Sequence, residues 1–246
     1  MRIQPLAPIA PGISIALPYR NPELTMIRQF FRIEIMKRTR AFTLKSYPFK
    51  EADRIVTFFT EDYGLISGVA RGSLKMKSKI SGALEPLTLV NLRFVEPHGK
   101  ELVVVTGCDG VLSLFHRMAD LRIAAAAGLI VELTMESHAE RDENTPYFRL
   151  LELSLKALRD NIDPEVVMRY FELFTLKLMG VLPPLSELKV ESARELMQVM
   201  LRTNIFDIRQ PDKAALSQLG NYLRRELRIA LGKQLKSHAF IDLMKR

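Results

Sequence analysis

Four cations within nine residues form the stretch of this chain whose chemistry is easiest to interpret. They are Arg71, Lys75, Lys77 and Lys79. Gly72, Ser73 and Ser78 lie between them, and no acidic residue does. Because the stretch lies between two strand-like runs, we predict a basic loop on a β scaffold, which suits contact with phosphates. A solvated surface loop is the alternative that the pattern leaves open.

Other site chemistries find little support in the sequence. The four histidines include no pair at metal-ligand spacing, and the one cysteine, Cys108, cannot build a zinc site. Residues 186–189 have the S-x-x-K spacing of penicillin-binding enzymes, but the companion motifs are absent. Residues 107–110 match the GxxG spacing of an RNA-clamp loop, but their acidic interior predicts a turn instead. We therefore predict no enzyme, no metal and no cofactor.

The charge distribution favours a polyanionic partner. The net charge is +8; residues 36–82 hold ten Lys or Arg against four acids, and residues 212–246 hold eight against three. Two basic ends around an acid-rich middle are typical of nucleic-acid binding. The single cysteine excludes an internal disulfide, and no apolar run approaches the roughly 20 residues of a membrane span. We expect a cytoplasmic, nucleoid-associated protein.

The chain divides into three parts by composition. Residues 1–35 hold five of the 13 prolines, so we predict a disordered or non-native extension that precedes a biological start at Met36. Residues 36–115 contain five short strand-like runs, which predict a small barrel or sandwich. The runs are Arg40–Lys45, Ile55–Thr60, Leu65–Ala70, Thr88–Val95 and Leu102–Val105.

Residues 116–246 have helical periodicity, so the predicted fold class is α+β, with a β module followed by an all-α module. Thr145 and Asp163 each precede a proline and are predicted N-caps. Ser192 and Glu195 predict a capping box for a later helix. The predicted helices cover 121–136, a segment from 145, 163–180, a segment from 192, 212–231 and about 237–245.

The candidate DNA contacts follow from the basic loop, the strand faces and a basic helix. They are Lys37, Arg38, Arg40, Arg71, Lys75, Lys77, Lys79, Arg224, Arg225 and Arg228. Tyr47, Phe49 and Tyr63 lie near predicted loops and are candidate rings for base stacking, although each also suits a core position. A five-stranded barrel with these side chains would hold a single strand through its phosphates and bases.

An ordered set of motifs resembles the RecO family of bacterial recombination mediators, from Met36 to the C-terminus. Residues 47–56 resemble the family's Y-x-F/Y-x-E-x-D-x-I-V opening. Residues 59–66 resemble F-T-x-x-x-G-x-I/L, residues 82–86 fit G-x-L-E/Q-P, and residues 232–237 resemble G-R/K-x-L-K/R-S. The Arg71-Gly72 loop with Lys77-Ser78-Lys79 resembles the family's G-x-R/K-x-x-x-S-R/K loop.

The resemblance implies an OB-fold over residues 36–115 and a helical domain over 116–246. It implies binding of single- and double-stranded DNA and annealing of complementary strands. It also implies two partners, RecR and the acidic C-terminal tail of the single-stranded DNA-binding protein SSB, and help in loading RecA. Many family members carry a four-cysteine zinc site after the segment that matches 180–185. No cysteine follows Cys108 here, so the chain resembles a zinc-free member.

Two questions stay open at this level. The pocket for an acidic tail has no placement, and Arg117, Arg122 and the basic C-terminal helix are the candidates. The competing function is a non-enzymatic adaptor that binds acidic partner segments and touches DNA weakly. An enzyme acting on nucleic acid is a third possibility, but it lacks a metal-binding carboxylate or histidine cluster in the sequence.

Overall fold

A computed structural model describes residues 35–75, 78 and 80–244, and Ile35–Arg246 is one compact unit. The predicted extension before Met36 lies outside the described residues, apart from Ile35. Two of the predicted DNA contacts, Lys77 and Lys79, also lie outside them. Among the described helices, none is long and apolar enough to cross a membrane.

The N-terminal half is a closed five-stranded barrel, which confirms the predicted β module and decides for a barrel against a sandwich. Its strands follow the order β1-β2-β3-β5-β4, with β3 and β5 parallel and every other neighbouring pair antiparallel. This arrangement agrees with an OB-fold. The strands are β1 Lys37–Phe49, β2 Asp53–Thr60, β3 Gly64–Ala70, β4 Thr88–Val95 and β5 Val103–Leu112.

The predicted turn at residues 107–110 is wrong, because these residues continue β5 opposite β4. The β4–β5 ladder shifts register between Arg93 and Phe94, and a bulge of this kind accommodates glycine inside a strand. A Cβ at Gly107 would overlap the guanidinium of Arg93. The glycine is therefore explained by a side chain that lies flat across the strand.

Six α-helices follow the barrel within the described residues, which confirms the predicted helical module. Helix α3 is central and packs against α1, α2 and α5. The helices are α1 Leu121–Ser137, α2 Thr145–Arg159, α3 Pro164–Leu178, α4 Glu191–Arg202, α5 Lys213–Leu231 and α6 Lys236–Met244.

The predicted caps are right at one helix and wrong at two. Asp163 caps α3, since its carboxylate accepts the amide of Glu165 at 2.8 Å. At α2 the N-cap is Asn144, one residue before the predicted Thr145. The predicted capping box of α4 is absent, because Glu191 already lies in the helix and Val190 occupies the cap position without a side-chain bond. Ser192 thus falls inside the first turn.

The barrel and the helices share a core. Residues 41–44 of β1 are buried without alternation, because one face points into the barrel and the other packs against helices. Phe42 lies 5.0 Å from Phe148 of α2, between ring centroids, and Phe59 of β2 lies 5.6 Å from Tyr147. This packing covers one side of the barrel, so a ligand must approach from the sides that remain exposed.

A buried ion network fixes α6 against α3. The Arg169 guanidinium donates to Glu172 at 2.5 Å, and Nε2 of His238 lies 2.6 Å from the other carboxylate oxygen. Burial alone would raise the pKa of Glu172, but Arg169 and His238 hold that pKa below its ordinary value. Glu132 of α1 accepts the backbone amides of Lys236 and Ser237 at 2.8 and 2.7 Å, which anchors the start of α6.

Candidate nucleic-acid interface

The basic loop after β3 is fastened to the β1–β2 hairpin at its first residues. The Gly72 amide donates to the Asp53 carboxylate at 2.8 Å, and the Leu74 amide donates to the Ala52 carbonyl at 3.0 Å. Gly72 has φ = 65°, a backbone conformation that glycine adopts without steric cost. These bonds place Arg71 and Lys75 beside the tip of the hairpin.

Four exposed cations meet at this end of the barrel: Lys45, Lys50, Arg71 and Lys75. None of them makes an ion pair with a described residue. Together with Tyr47 they form what we call the hairpin face. Tyr47 is 43 % exposed, and the Lys45 ammonium lies 5.8 Å from its ring centroid. Glu51 is an exposed acid at the same hairpin tip.

Sequence reasoning missed Lys45 and Lys50, although both belong to the basic segment 36–82. The pairing of β1 with β2 and of β2 with β3 brings the three segments to one end of the barrel. Phe49 is half-buried beneath Lys50, whose ammonium lies 5.3 Å from the ring centroid. Cations that alternate with rings suit a strand whose phosphates and bases are bound side by side.

Lys50 adopts a left-handed backbone conformation, with φ = 56°. Glycine or asparagine is the usual residue there, because a Cβ raises the free energy of that conformation. A lysine at the hairpin tip therefore carries a backbone cost that its side chain does not recover through an ion pair with any described residue. Local strain of this kind is concentrated at functional sites.

Most of the predicted cations at the other end of β1 form ion pairs with carboxylates. Lys37 pairs with Glu96 at 2.8 Å and lies 4.4 Å from the ring centroid of Tyr63, so this predicted stacking ring is also at the far end. Arg40 binds Glu61 through two nitrogens, at 2.8 and 2.9 Å, and Glu152 of α2 at 3.0 Å. The hydrogen bonds to Glu61, opposed by burial, hold the pKa of Arg40 above its ordinary value. Arg40 thus ties the barrel to α2.

Arg38 has a different setting from its neighbours on β1. It is exposed, lies opposite Arg93 in the β1–β4 ladder, and has no ion pair within the described part of the chain. Arg93 itself binds Asp109 at 2.6 Å. These residues border a shallow cavity of about 550 Å³ on the outer face of the barrel. Asp109 compensates the charge of Arg93, so Arg38 is the cation of this opposed pair that is available to an anion.

The three predicted arginines of α5 also differ from one another. Arg224 is held by both carboxylate oxygens of Asp242 in α6, at 2.7 and 2.6 Å. Arg225 pairs with the neighbouring Glu226 at 2.6 Å and lies over the ring of Tyr222. Arg228 is exposed and forms no ion pair with a described residue. Arg224 thus helps to dock α6, whereas Arg228 faces solvent.

Two arginines, Arg117 and Arg122, are candidates for the pocket of an acidic tail, and their surroundings differ. Arg117 donates to the carbonyls of Leu158 and Arg159 at 2.8 Å each, and so satisfies the C-terminal end of α2. Arg122 lies at the edge of a cavity of about 880 Å³ and binds Asp163 at 2.5 Å. Apolar side chains form much of the cavity wall, among them Val166, Met168, Ile208, Leu216 and Ile241.

The residues between α3 and α4 do not fit the four-cysteine zinc site that the resemblance implies for many RecO proteins. No group of three or more His, Cys, Asp or Glu among the described residues is placed to hold a metal ion, and the one cysteine lies in β5. The Arg194 guanidinium instead donates twice to the Leu188 carbonyl, at 3.1 and 3.0 Å. An arginine fork and the buried Leu188 side chain hold this segment.

Two family models match the chain. Residues 35–114 match the model described as "Recombination protein O N terminal", and residues 118–188 match "Recombination protein O C terminal". The first match covers the barrel and the second covers α1 to the segment before α4. The hairpin face lies within the first match, whereas α4, α5 and α6 lie outside the second.

Curated relatives carry the name "DNA repair protein RecO". One from Koribacter versatilis is 35% identical over 153 residues, which are 61% of this chain and 62% of that protein. One from Dehalococcoides mccartyi is 33% identical over 150 residues, 61% of this chain and 58% of that protein. One from an Exiguobacterium species is 29% identical over 152 residues, 62% and 60% of the two chains. The chain thus spans about three fifths of the length of the relatives it matches.

Proposed function

The chain belongs to the RecO family, and from that premise we propose that it is a DNA repair and recombination mediator. It binds single- and double-stranded DNA, anneals complementary strands and helps RecR to load RecA on SSB-coated DNA. The observation that carries the proposal is the hairpin face, where four exposed cations and an exposed tyrosine lie at one end of the barrel. Cytoplasmic, nucleoid-associated location is part of the same proposal.

Annealing by such a face requires no catalytic residue. Its cations lower the repulsion between two phosphate chains, and their contacts with phosphates do not depend on base sequence. Tyr47 offers a ring on which a base can stack with little preference for its identity. Bases can therefore exchange partners until the two strands are in register.

The predicted contacts divide into direct and supporting roles under this proposal. Arg71 and Lys75 bind phosphate together with Lys45 and Lys50, and Lys77 and Lys79 extend the same loop. Arg38 contributes from the outer face of β1. Lys37 and Arg40 act indirectly, because their ion pairs with carboxylates hold the barrel in shape and fix it on α2.

The partner part of the proposal places the SSB tail in the cavity beside Arg122. An acidic peptide tail is attracted to a basic, partly apolar pocket. Arg122 and Lys213 supply the cations, and Val166, Leu216 and Ile241 contribute to the wall. Acidic residues at the rim, Asp163 among them, weaken the attraction and make the apolar contacts the larger part of the affinity. RecR has no assigned contact in this proposal.

Annealing of two complementary SSB-coated oligonucleotides at several salt concentrations tests the function. One variant combines Lys45→Ala, Arg71→Ala and Lys75→Ala, and a second carries only Lys50→Gly. The matched control, Arg202→Ala with Arg209→Ala, removes two exposed cations of the helical half. We expect the triple variant to lose most annealing and its salt slope for single strands to fall by about two, near 0.7 for each lost phosphate contact.

Lys50→Gly distinguishes a loss of DNA affinity from a loss of fold stability. It removes a cation, and glycine adopts the left-handed backbone conformation at this position without steric cost. We expect weaker DNA binding together with equal or higher thermal stability. Unchanged affinity and slope in both variants would refute the hairpin face. If well-folded wild type neither binds DNA nor anneals, yet binds an acidic SSB-tail peptide, the chain is an adaptor and the proposed function is wrong.

A further inference from the structure

Two neighbouring cavities border the same side of α5 and share residues. One, of about 200 Å³, is lined by Arg224, Arg225, Arg228 and the segment 233–235. The other, of about 320 Å³, lies between α5 and residues 187–189. Asn221 and Arg225 line both, so the cavities are two parts of one track, which we call the α5 groove.

A buried hydroxyl in the α5 groove lacks a partner. The residue Tyr222 is 6 % exposed, and its hydroxyl oxygen accepts or donates no hydrogen bond within the described residues. Burial raises the pKa of Tyr222 to about 12, so the hydroxyl keeps its proton and remains a donor at neutral pH. A buried donor left without an acceptor is destabilising, and few occur in native structures. An acceptor atom of a ligand in the groove would satisfy it.

Cations accompany this donor along the helix. The Arg225 guanidinium lies 5.2 Å from the ring centroid of Tyr222, and Arg228 follows three residues later on an adjacent turn. Three residues of α-helix advance about 4.5 Å, so the two arginines can face neighbouring phosphates of one strand. Arg224 and Lys233 pair with carboxylates of other helices, Asp242 and Glu136, and are assigned no ligand. Arg225 pairs only with its sequence neighbour Glu226, and Arg228 forms no ion pair with a described residue.

The lining favours a phosphate chain over a peptide. Leu188 and Leu235 are the aliphatic residues among those that line the groove, whereas the cavity beside Arg122 has several more, so the groove offers a hydrophobic peptide residue little apolar wall. Apart from the ring of Tyr222, the other lining residues are polar or charged. Glu187 lines the groove and Glu226 lies beside it, and their negative charges lower the affinity for a phosphate chain. Neither carboxylate accepts a hydrogen bond from the Tyr222 hydroxyl.

We propose that the α5 groove is a second phosphate-binding site, in which Asn221, Tyr222, Arg225 and Arg228 hold a single DNA strand while the hairpin face holds another. The inference rests on the proposed function, since it assigns the second strand of an annealing reaction. One chain would then present two strands at once, one on the barrel and one on the helical half. A protein with one site would need two copies to do the same.

The number of strands bound per chain tests the proposal. The full chain is mixed with two non-complementary oligonucleotides of different mass, and native mass spectrometry counts the strands on each protein monomer. We expect wild type to carry both. Tyr222→Phe removes only the hydroxyl and keeps the ring beneath Arg225. We expect it to weaken the second strand about tenfold, and Arg225→Ala with Arg228→Ala to abolish it.

Controls separate this proposal from the proposed function. Arg202→Ala with Arg209→Ala should still carry two strands, and the hairpin-face triple variant should carry one, held by the α5 groove. One strand on wild type, unaffected by the groove variants, overturns the second site and leaves the proposed function intact. No strand on wild type refutes the proposed function itself. Binding of an acidic peptide that is lost in the groove variants, with both strands retained, would make the groove a protein site and overturn the inference.

Discussion

Replacement of Gly220 by alanine should destabilise the protein, although alanine is the better helix former. Gly220 lies in the middle of α5, and a Cβ there would meet the Arg169 guanidinium at 2.7 Å. A real Cβ does not approach so closely, so the guanidinium must move. It is buried and bonded to Glu172 at 2.5 Å, and its displacement breaks that pair.

The magnitude follows from two opposing contributions. Breaking a buried ion pair costs about 3–5 kcal/mol, because a charge is left uncompensated in the interior. Alanine in a helix gains about 1 kcal/mol over glycine. The difference is a loss of roughly 2–4 kcal/mol in the free energy of unfolding. For a chain of this size the melting temperature should fall by roughly 5–15 °C.

The structure supplies a matched control in α1. Gly128 is exposed and helical, and a Cβ there meets nothing within 4 Å. Gly128→Ala should therefore raise the free energy of unfolding by about 0.5–1 kcal/mol. Urea unfolding at pH 7, followed by circular dichroism, compares both variants with wild type. A double-mutant cycle with Glu172→Gln adds a test, since the second change should cost less once Gly220→Ala has broken the pair.

Stability of Gly220→Ala equal to wild type, or a gain like that of Gly128→Ala, would refute this reasoning. Full additivity in the cycle would show that the glycine and the ion pair act independently. Either result would mean that the guanidinium moves aside without losing Glu172.

Three further predictions concern pH, the thiol and the segment before α4. Because the folded-state pKa of Glu172 is below the unfolded value, its contribution is present above the ordinary glutamate pKa of 4.5 and lost as pH falls through the folded pKa. Glu172→Gln should therefore flatten the stability curve below pH 4.5, as acid titration with circular dichroism would show; a curve parallel to wild type contradicts this. Burial raises the pKa of Cys108 to about 12, so a disulfide reagent at pH 8 should label the thiol only in urea, and rapid native labelling would contradict it. Arg194→Lys should lose the fork on Leu188 and speed amide hydrogen exchange over 181–190, whereas a zinc chelator should leave that exchange unchanged in wild type; the reverse pattern would mean that a metal holds the segment.

Local sequence patterns predicted which segments form strands and which form helices, but they predicted the first and last residues of these elements poorly. The β-branched alternation and the 3.6-residue period predicted the barrel strands and the helices correctly. Caps depend on which backbone amides a neighbouring side chain reaches, so Thr145 was one residue late and the Ser192 box was wrong. The prediction of a turn at residues 107–110 was wrong for a similar reason. The glycine spacing does not show that the Arg93 side chain of β4 lies against Gly107.

The sequence shows which residues are charged. It does not show which cations are held in ion pairs and which remain exposed to a ligand. The basic run at Arg71 and the excess of cations predicted a polyanion-binding surface, and that surface remains a proposal. No pattern in the sequence indicates that Arg40 is shared between Glu61 and Glu152, or that Arg224 is bound by Asp242. It also left Lys45 and Lys50 out of the candidate set.

The sequence by itself determined the fold class, the family and the overall sign of the charge, because periodicity, ordered motifs and composition act over neighbouring residues. Tertiary structure decided which cations remain exposed and which are held in ion pairs, because their partners lie in other elements and distant parts of the chain. Arg40 and Glu152 are 112 residues apart, and the hairpin face joins three segments through the register of β1, β2 and β3. Only folding brings such groups within bonding distance, and it leaves the Tyr222 hydroxyl without a protein partner among the described residues.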